Sequence, residues 1–191
     1  MASTPPRSAN ASEFFSTNSQ FHVVICNTCE HAVRRDNIIT HLASTNHRVP
    51  RITARYIEQC VQQWDYIDDQ PDITRWPTQI DEPIPGLLVY DDGLLCLRCE
   101  RHICRTIQSL RVHWQQTHGW SPSSHRGRPK PSEITRIQSD IDTNSRSVSC
   151  QRIFKHGVGS HFIQVRQPDT DSQRAEPVPP VDAIQQVIQR V

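Results

Sequence analysis

The chain has 191 residues, is 35% hydrophobic and carries a formal net charge of +1, which excludes one large apolar core and leaves small modules that need a disulfide or metal staple. No apolar run approaches the length that spans a bilayer, and no apolar stretch follows a basic start at the amino terminus, so an intracellular protein without membrane contact is expected. In a reducing compartment its seven cysteines are poor disulfide partners and good metal ligands.

Residues 1–19 are rich in Ser, Thr, Asn and Pro, too polar to offset the entropy of ordering, and are predicted to form a disordered tail. Residues 20–66 make a first module. Phe21 to Cys26 is an apolar run suited to a strand that delivers Cys26 and Cys29. Asp36 is a candidate N-cap for a short helix with Ile38, Ile39 and Leu42 on its apolar side; that helix carries His41, and His47 follows. After Pro50, residues Ile52, Tyr56, Ile57, Cys60, Val61 and Trp64 recur at three and four. That is one face of a trailing helix, expected to pack on the module. Residues 67–85 form an acidic, proline-containing linker.

Residues 86–121 make a second module. Leu87–Tyr90 and Leu94–Cys96, either side of Asp91-Asp92-Gly93, read as a hairpin with a tight turn that leads into Cys99. The next helix has Thr106 as its cap, Ile103, Ile107, Leu110 and Trp114 on one side, His113 beside that stripe and His118 before a closing Gly119. Residues 122–146 are a basic linker with a short helix expected from Glu133 to Ile141, and residues 147–166 are two strands about a Gly-containing turn. Residues 167–191 are a linker and then the start of an amphipathic helix. Its Val181, Ile184, Val187, Ile188 and Val191 call for a protein partner or a longer chain. The fold class expected is therefore small α+β zinc-finger modules, ββα-like, joined by linkers behind a disordered amino terminus.

Two sets of residues have zinc-site spacing: Cys26-x2-Cys29 with His41-x5-His47, and Cys96-x2-Cys99 with His113-x4-His118. A thiolate pair on a turn and a histidine pair near one helix face can enclose a tetrahedral Zn²⁺. Histidines five or six positions apart overshoot the i,i+4 register, so the helix is expected to end or loosen between them, at Ser44-Thr45-Asn46 and at Thr117 with Gly119. Four protein ligands leave no open position for a catalytic water, and two structural ions follow, each coupled to folding by about 10 kcal/mol. In the second set the interval from Cys99 to His113 is long, and His102 or Cys104 lies close enough to replace a ligand. Cys60, Cys104 and Cys150 otherwise read as small buried apolar groups.

Charge alternates along the chain. From His31 to Arg55 the chain carries Arg34, Arg35, Arg48, Arg51 and Arg55 against Asp36 alone, acidic residues dominate from Asp65 to Asp92, and residues 98–130 are basic again. The end of the first set, His41-Leu42 to His47, resembles the matrin-type zinc fingers, which implies DNA or RNA binding. Arg126-Gly127-Arg128-Pro129-Lys130 resembles the core of an AT-hook, in which an extended Gly-Arg-Pro segment lies in a narrow A·T minor groove. The long acidic spacer precludes a tandem array reading adjacent triplets.

Several strings in succession resemble a fungal family, the OrsD-like proteins named after orsellinic acid biosynthesis cluster protein D. They are Ile25 to Cys29, His41 to His47, Pro83 to Gly86, Asp92 to Cys96, His113 to Trp120, and Val148 to Phe154 with Gly157 to Phe162, and the resemblance runs from about residue 20 to about residue 165. It implies Cys/His repeats of zinc-finger type and no established enzymatic activity. Members are often longer, so a short or truncated member is expected.

No set of nucleophile, base and oxyanion donors can be named. The expected function is thus a non-enzymatic nuclear zinc protein, with a cytoplasmic location as the alternative, and without a small-molecule substrate. DNA is the expected partner, through Arg34, Arg35, Arg48, Arg51, Arg126, Gly127, Arg128, Pro129 and Lys130. The alternatives are a protein-interaction scaffold in a fungal regulatory or secondary-metabolite pathway and a binder of duplex RNA.

Overall fold

A computed structural model of the chain describes residues 10–65, 67–68, 72–121 and 130–166. It is a mixed α+β structure built on two sheets. In chain order the elements are α1 (Ala11–Phe14), β1 (Phe15–Asn18), β2 (Val23–Cys26), β3 (His31–Val33), α2 (Ile38–Leu42), α3 (Arg51–Gln62), β4 (Gln79–Ile80), β5 (Val89–Cys96), β6 (Ile103–Cys104), α4 (Ile107–His118), α5 (Pro131–Asn144), β7 (Ser145–Arg152) and β8 (Phe162–Val165). Short 3-10 turns lie at Arg35–Asn37 and Ile73–Arg75. No helix among the described residues is long and apolar enough to cross a membrane.

The first sheet has the order β1-β2-β3, antiparallel throughout. Its central strand, β2, is buried at all four positions. Alternation sends Val24 and Cys26 to one face and Val23 and Ile25 to the other. On the first face they meet Phe15, Ile38, Leu42, Ala54, Ile57 and Val61, so α2 and α3 cover this side. Ala54, Ile57 and Val61 make the buried seam of α3, with Cys60 and Trp64 half-buried beside it. Ile52 and Tyr56, expected in that seam, instead remain 58% and 48% exposed. The buried seam of Ala54, Ile57 and Val61 lies a fraction of a turn away from them.

The amino-terminal segment departs from the expectation of disorder through residue 19. Residues 1–9 lie outside the described residues, but from Ala11 on the chain forms α1 and β1. Asn10 caps α1 by accepting from the Ser12 N–H at 3.1 Å, β1 satisfies its backbone against β2, and Phe15, 1% exposed, anchors the segment in the core. A polar average concealed one well-placed aromatic residue.

The second sheet has the order β4-β8-β7-β5-β6, antiparallel except for the β4–β8 pair. The hairpin expected to turn at Asp91-Asp92-Gly93 is absent: β5 runs through these residues, and its register against β7 shifts between Tyr90 and Gly93. Gly93 is required there because an added Cβ would stand 2.6 Å from the Val148 carbonyl oxygen and 2.8 Å from Cys150 Sγ. The true partner of β5 in a hairpin is β6, across the cysteine-bearing turn. The expected hairpin of residues 147–166 forms as β7 and β8, and the expected short helix is the 14-residue α5.

These elements interlock where the sequence suggested modules on linkers. The second face of the first sheet, with Phe21, Val23, Ile25 and Ala32, packs on Ile84, Leu87, Ile153, Phe154 and Ile163. The Ala32 N–H donates to the Ile153 carbonyl at 2.8 Å and the Leu88 N–H to the Glu30 carbonyl at 3.1 Å. The stretch expected to be an acidic linker contributes β4 and buried Ile84. Gln151, fully buried, holds it: its Oε1 accepts from the Ile84 N–H at 2.7 Å, and its Nε2 donates to the carbonyls of Ile84 (3.1 Å) and Leu87 (2.7 Å). A further core joins Cys96, Cys104, Leu110, Trp114, Trp120 and Ile141 around α4.

Candidate metal centres

Cys26 ends the buried strand β2, and Cys29 lies in the turn before β3. His41 lies on α2, a helix of five residues. So short a helix is marginal alone, and it is held by buried Ile38 and Leu42. It ends at Leu42, so His47 returns from the loop that follows, as the spacing required. The four donor atoms of Cys26, Cys29, His41 and His47 lie within 4.8 Å of one another.

The second group repeats this plan. Cys96 ends β5, Cys99 lies in the turn to β6, and His113 and His118 lie on α4, with donor atoms again within 4.8 Å of one another. Here the helix does not end between its histidines. It runs to His118 and closes at Gly119 in the left-handed region. The rings of His113 and His118 meet edge to face with centroids 5.0 Å apart.

The donor sets fit a tetrahedral ion. Bonds of about 2.3 Å to sulfur and about 2.0–2.1 Å to nitrogen put sulfur and nitrogen about 3.5–3.6 Å apart around such an ion. Cys26 Sγ lies 3.6 Å from His47 Nε2, Cys96 Sγ 3.5 Å from His118 Nε2, and Cys99 Sγ 3.5 Å from His113 Nε2; Cys29 Sγ to His47 Nε2 is shorter, at 3.1 Å. His41 Nε2 is buried without a hydrogen-bond partner, as expected of a nitrogen that can ligate a metal ion. Both groups can therefore hold a metal ion. With four protein donors, neither leaves a coordination position for water or substrate.

The local environment favours the ligating forms of His41 and His113. Burial, with His47 next, pushes His41 down to about 4, and burial, with His102 next, does the same to His113. Both rings are thus neutral at neutral pH. Burial, then the neighbouring Cys26, raises the Cys29 thiol. Burial would also raise Cys99, but hydrogen bonds from the backbone of Arg101 and His102, from Cys96 and from its own backbone together outweigh it and the thiol is lowered.

Supporting contacts escaped the sequence reading. Trp114, assigned only to the helix stripe, donates its Nε1–H to Cys96 Sγ at 3.2 Å. Thr117 Oγ1 lies 3.2 Å from His113 Nδ1, which leaves His113 Nε2 for a metal when Nδ1 carries the proton. His31 bridges the Cys29 carbonyl and, at 3.3 Å, the Tyr90 hydroxyl. The spacing of Trp114 beside His113 was the one available signal for the first contact. The third joins residues 59 positions apart and left none.

The two alternative ligands of the second site stand outside its donor set. The His102 ring stacks on His113 with centroids 3.8 Å apart. Cys104 is buried, with Sγ 3.5 Å from the Thr106 carbonyl oxygen. Burial raises Cys104 and pushes Cys150 up to about 11. Cys60 is half-buried against α3's core.

Among the described residues, the nominated nucleic-acid side chains take separate partners. Arg34 donates to the Val158 carbonyl and lies over the Phe154 ring. Arg35 donates to the carbonyls of Trp64 and Ile67, and Arg48 to that of Thr45. Arg51 is exposed at the start of α3. Lys130 caps α5, its backbone N–H donating to Glu133 Oε2 at 2.9 Å. Arg126, Gly127, Arg128 and Pro129, and the amphipathic segment from Val181, lie outside the described residues.

Comparison with known proteins places both donor sets within one family match. The family described as "Orsellinic acid/F9775 biosynthesis cluster protein D" matches residues 13–119, beginning within α1 and ending just after His118. The strings from Val148 to Phe162 lie beyond that match. A curated relative of the same description from Emericella nidulans is 24% identical over 122 residues, which is 63% of this chain and 23% of the relative. The chain thus spans less than a quarter of that relative's length. No solved structure matches.

Proposed function

Since the chain belongs to the orsellinic acid/F9775 biosynthesis cluster protein D family and carries two Cys2His2 groups, we propose a non-enzymatic nuclear protein with two ββα-like modules, each closed by structural zinc, that binds nucleic acid. The observation that carries this reading is the pair of closed four-donor sets, one with a buried His41 Nε2 that has no hydrogen-bond partner. Sulfur and imidazole donors in a tetrahedral arrangement suit Zn²⁺. Support for nucleic acid comes from basic side chains on the metal-bearing segments, including exposed Arg48, Arg51, Arg98 and Arg101.

The test is metal analysis of the purified chain together with salt-dependent binding to DNA. Two zinc ions per chain are expected, falling to one in Cys29→Ala and in Cys99→Ala. DNA binding is expected to weaken as salt rises. A chain without zinc, or one showing no salt-dependent retention on any DNA, overturns the corresponding half of the proposal.

A second reading, a protein-interaction scaffold, is favoured by the outer face of α3, where Ile52 and Tyr56 stand exposed. It predicts a defined protein partner that is lost on Ile52→Asp and that does not compete with DNA.

A further inference from the structure

A groove of about 830 Å³ runs between α4 and the β7–β8 loop. Arg101, Arg105 and Arg152 line it, and no carboxylate does. Arg105 is tied to Asp92 outside the groove by contacts of 2.6 and 2.8 Å. Arg101 and Arg152 have no acidic partner among the described residues. Arg152 lies over the rings of Tyr90 and Phe162, with its Nε buried and without a hydrogen-bond partner. Two cations, one held in place by aromatic rings, thus face a cavity that offers them no counter-charge.

The other lining groups suit the same ligand. Thr106 and Ser109 present hydroxyls at the start of the 12-residue α4, where the helix dipole favours an anion. His161 and Phe162 supply flat rings on the opposite wall. That wall is built into the fold. Gly159, with φ of +84°, presses so closely on Trp76 that an added Cβ would stand 2.9 Å from its ring, and Trp76 in turn stacks on Phe154.

The groove also decides which form of nucleic acid fits. A finger helix that reads duplex DNA from the major groove uses the position before the helix and its third and sixth residues. On α4 these are Thr106, Ser109 and Val112. All three line the groove and share it with the β7–β8 loop, so the face that would enter a duplex looks onto another wall of the same chain. The volume lies in the roughly 300–1,000 Å³ range of sites for small ligands, suited to a few nucleotides and not to a double helix. A cationic groove with ring platforms is how single strands are held without sequence preference.

From this geometry we infer that the groove between α4 and the β7–β8 loop binds the phosphodiester backbone of single-stranded nucleic acid, and that α4 does not read duplex DNA. The inference rests on the nucleic-acid half of the proposed function and names its site and strand form.

The test is fluorescence anisotropy of the full zinc-loaded chain with labelled 15-nucleotide oligo-dT and with a 15-base-pair duplex. Arg101→Glu and Arg152→Gln are compared after confirming two bound zinc ions. Oligo-dT is expected to bind more tightly than the duplex. Each substitution should weaken oligo-dT binding about tenfold and make the salt dependence shallower by about 0.7 in log–log slope per lost phosphate contact. Arg101 is exposed, so its variant remains informative if Arg152→Gln misfolds. Duplex binding at least as tight as oligo-dT, or oligo-dT binding indifferent to Arg101→Glu, overturns this inference while leaving nucleic-acid binding intact. Full displacement of oligo-dT by millimolar inorganic phosphate overturns it in favour of a small-anion site, and absence of binding to either nucleic acid removes both readings.

Discussion

Replacing Trp114 by phenylalanine should weaken metal binding at the second centre and spare the first. The Trp114 Nε1–H donates to Cys96 Sγ at 3.2 Å in a fully buried setting, and phenylalanine keeps an aromatic ring against Leu110 and Trp120 while removing that donor. A hydrogen bond to a charged acceptor contributes about 1.5–3 kcal/mol, roughly 10- to 150-fold in affinity. That range overlaps the roughly 10- to 100-fold effect of losing a contact that supports a metal ligand. The assay is zinc competition against a chromophoric chelator. With two sites per chain the titration resolves one unchanged and one weakened constant, and the first site is the internal reference. Unchanged affinity at both sites would show that the N–H does not support the thiolate. Equal weakening at both would mean that the substitution acts through global stability, and the reasoning fails either way.

Three further outcomes follow from buried groups away from the ligands. Gln151→Leu strands the Ile84 N–H and two carbonyls, so it should lower unfolding free energy by about 3 kcal/mol or more, and a urea midpoint close to wild type would refute this role. Gly93→Ala forces a methyl group against the Val148 carbonyl and Cys150 Sγ; overpacking of this kind costs about 1–3 kcal/mol, and a neutral result in the same urea series would mean that β5 can shift. Raising Cys150 from 9.0 to about 11 cuts its thiolate about a hundredfold at pH 8, so maleimide should modify Cys60 in the zinc-loaded chain and leave Cys150 untouched, as peptide mapping by mass spectrometry would detect.

The donor sets were legible because metal spacing is local. Two cysteines on one turn and two histidines on one helix or its exit need only a short stretch of chain, and the same eight residues meet in space. The strand ending in Cys26 and the helix of Ile107–His118 were legible for the same reason, through an apolar run and a capped stripe. What sequence could not supply was pairing at a distance. Nothing in Asp91-Asp92-Gly93 distinguishes a tight turn from a bulge until Val148 and Cys150 stand opposite. Nor does a polar Gln151 announce itself as the fully buried clasp of residues 84–87.

The two centres share a mechanical logic that follows from these pairings. Cys26 and Cys96 are each the last residue of a strand with a neighbour on both sides, β2 between β1 and β3 and β5 between β7 and β6. A buried strand fixes the height and direction of its terminal cysteine, and an ion bound there would fix the strand end against the segment that brings the histidines. For β2 the consequence reaches further. Val24 and Cys26 face the helices that flank the metal group, while Val23 and Ile25 face the core shared with Ile153, Phe154 and Ile163. An ion held on one side of the first sheet would therefore steady the surface on which the β7–β8 segment rests. Through Phe154, Trp76 and Gly159, that segment forms the wall of the cationic groove beside α4. A metal ion held by the first donor set would thus be coupled, through one buried strand, to the shape of the groove beside α4.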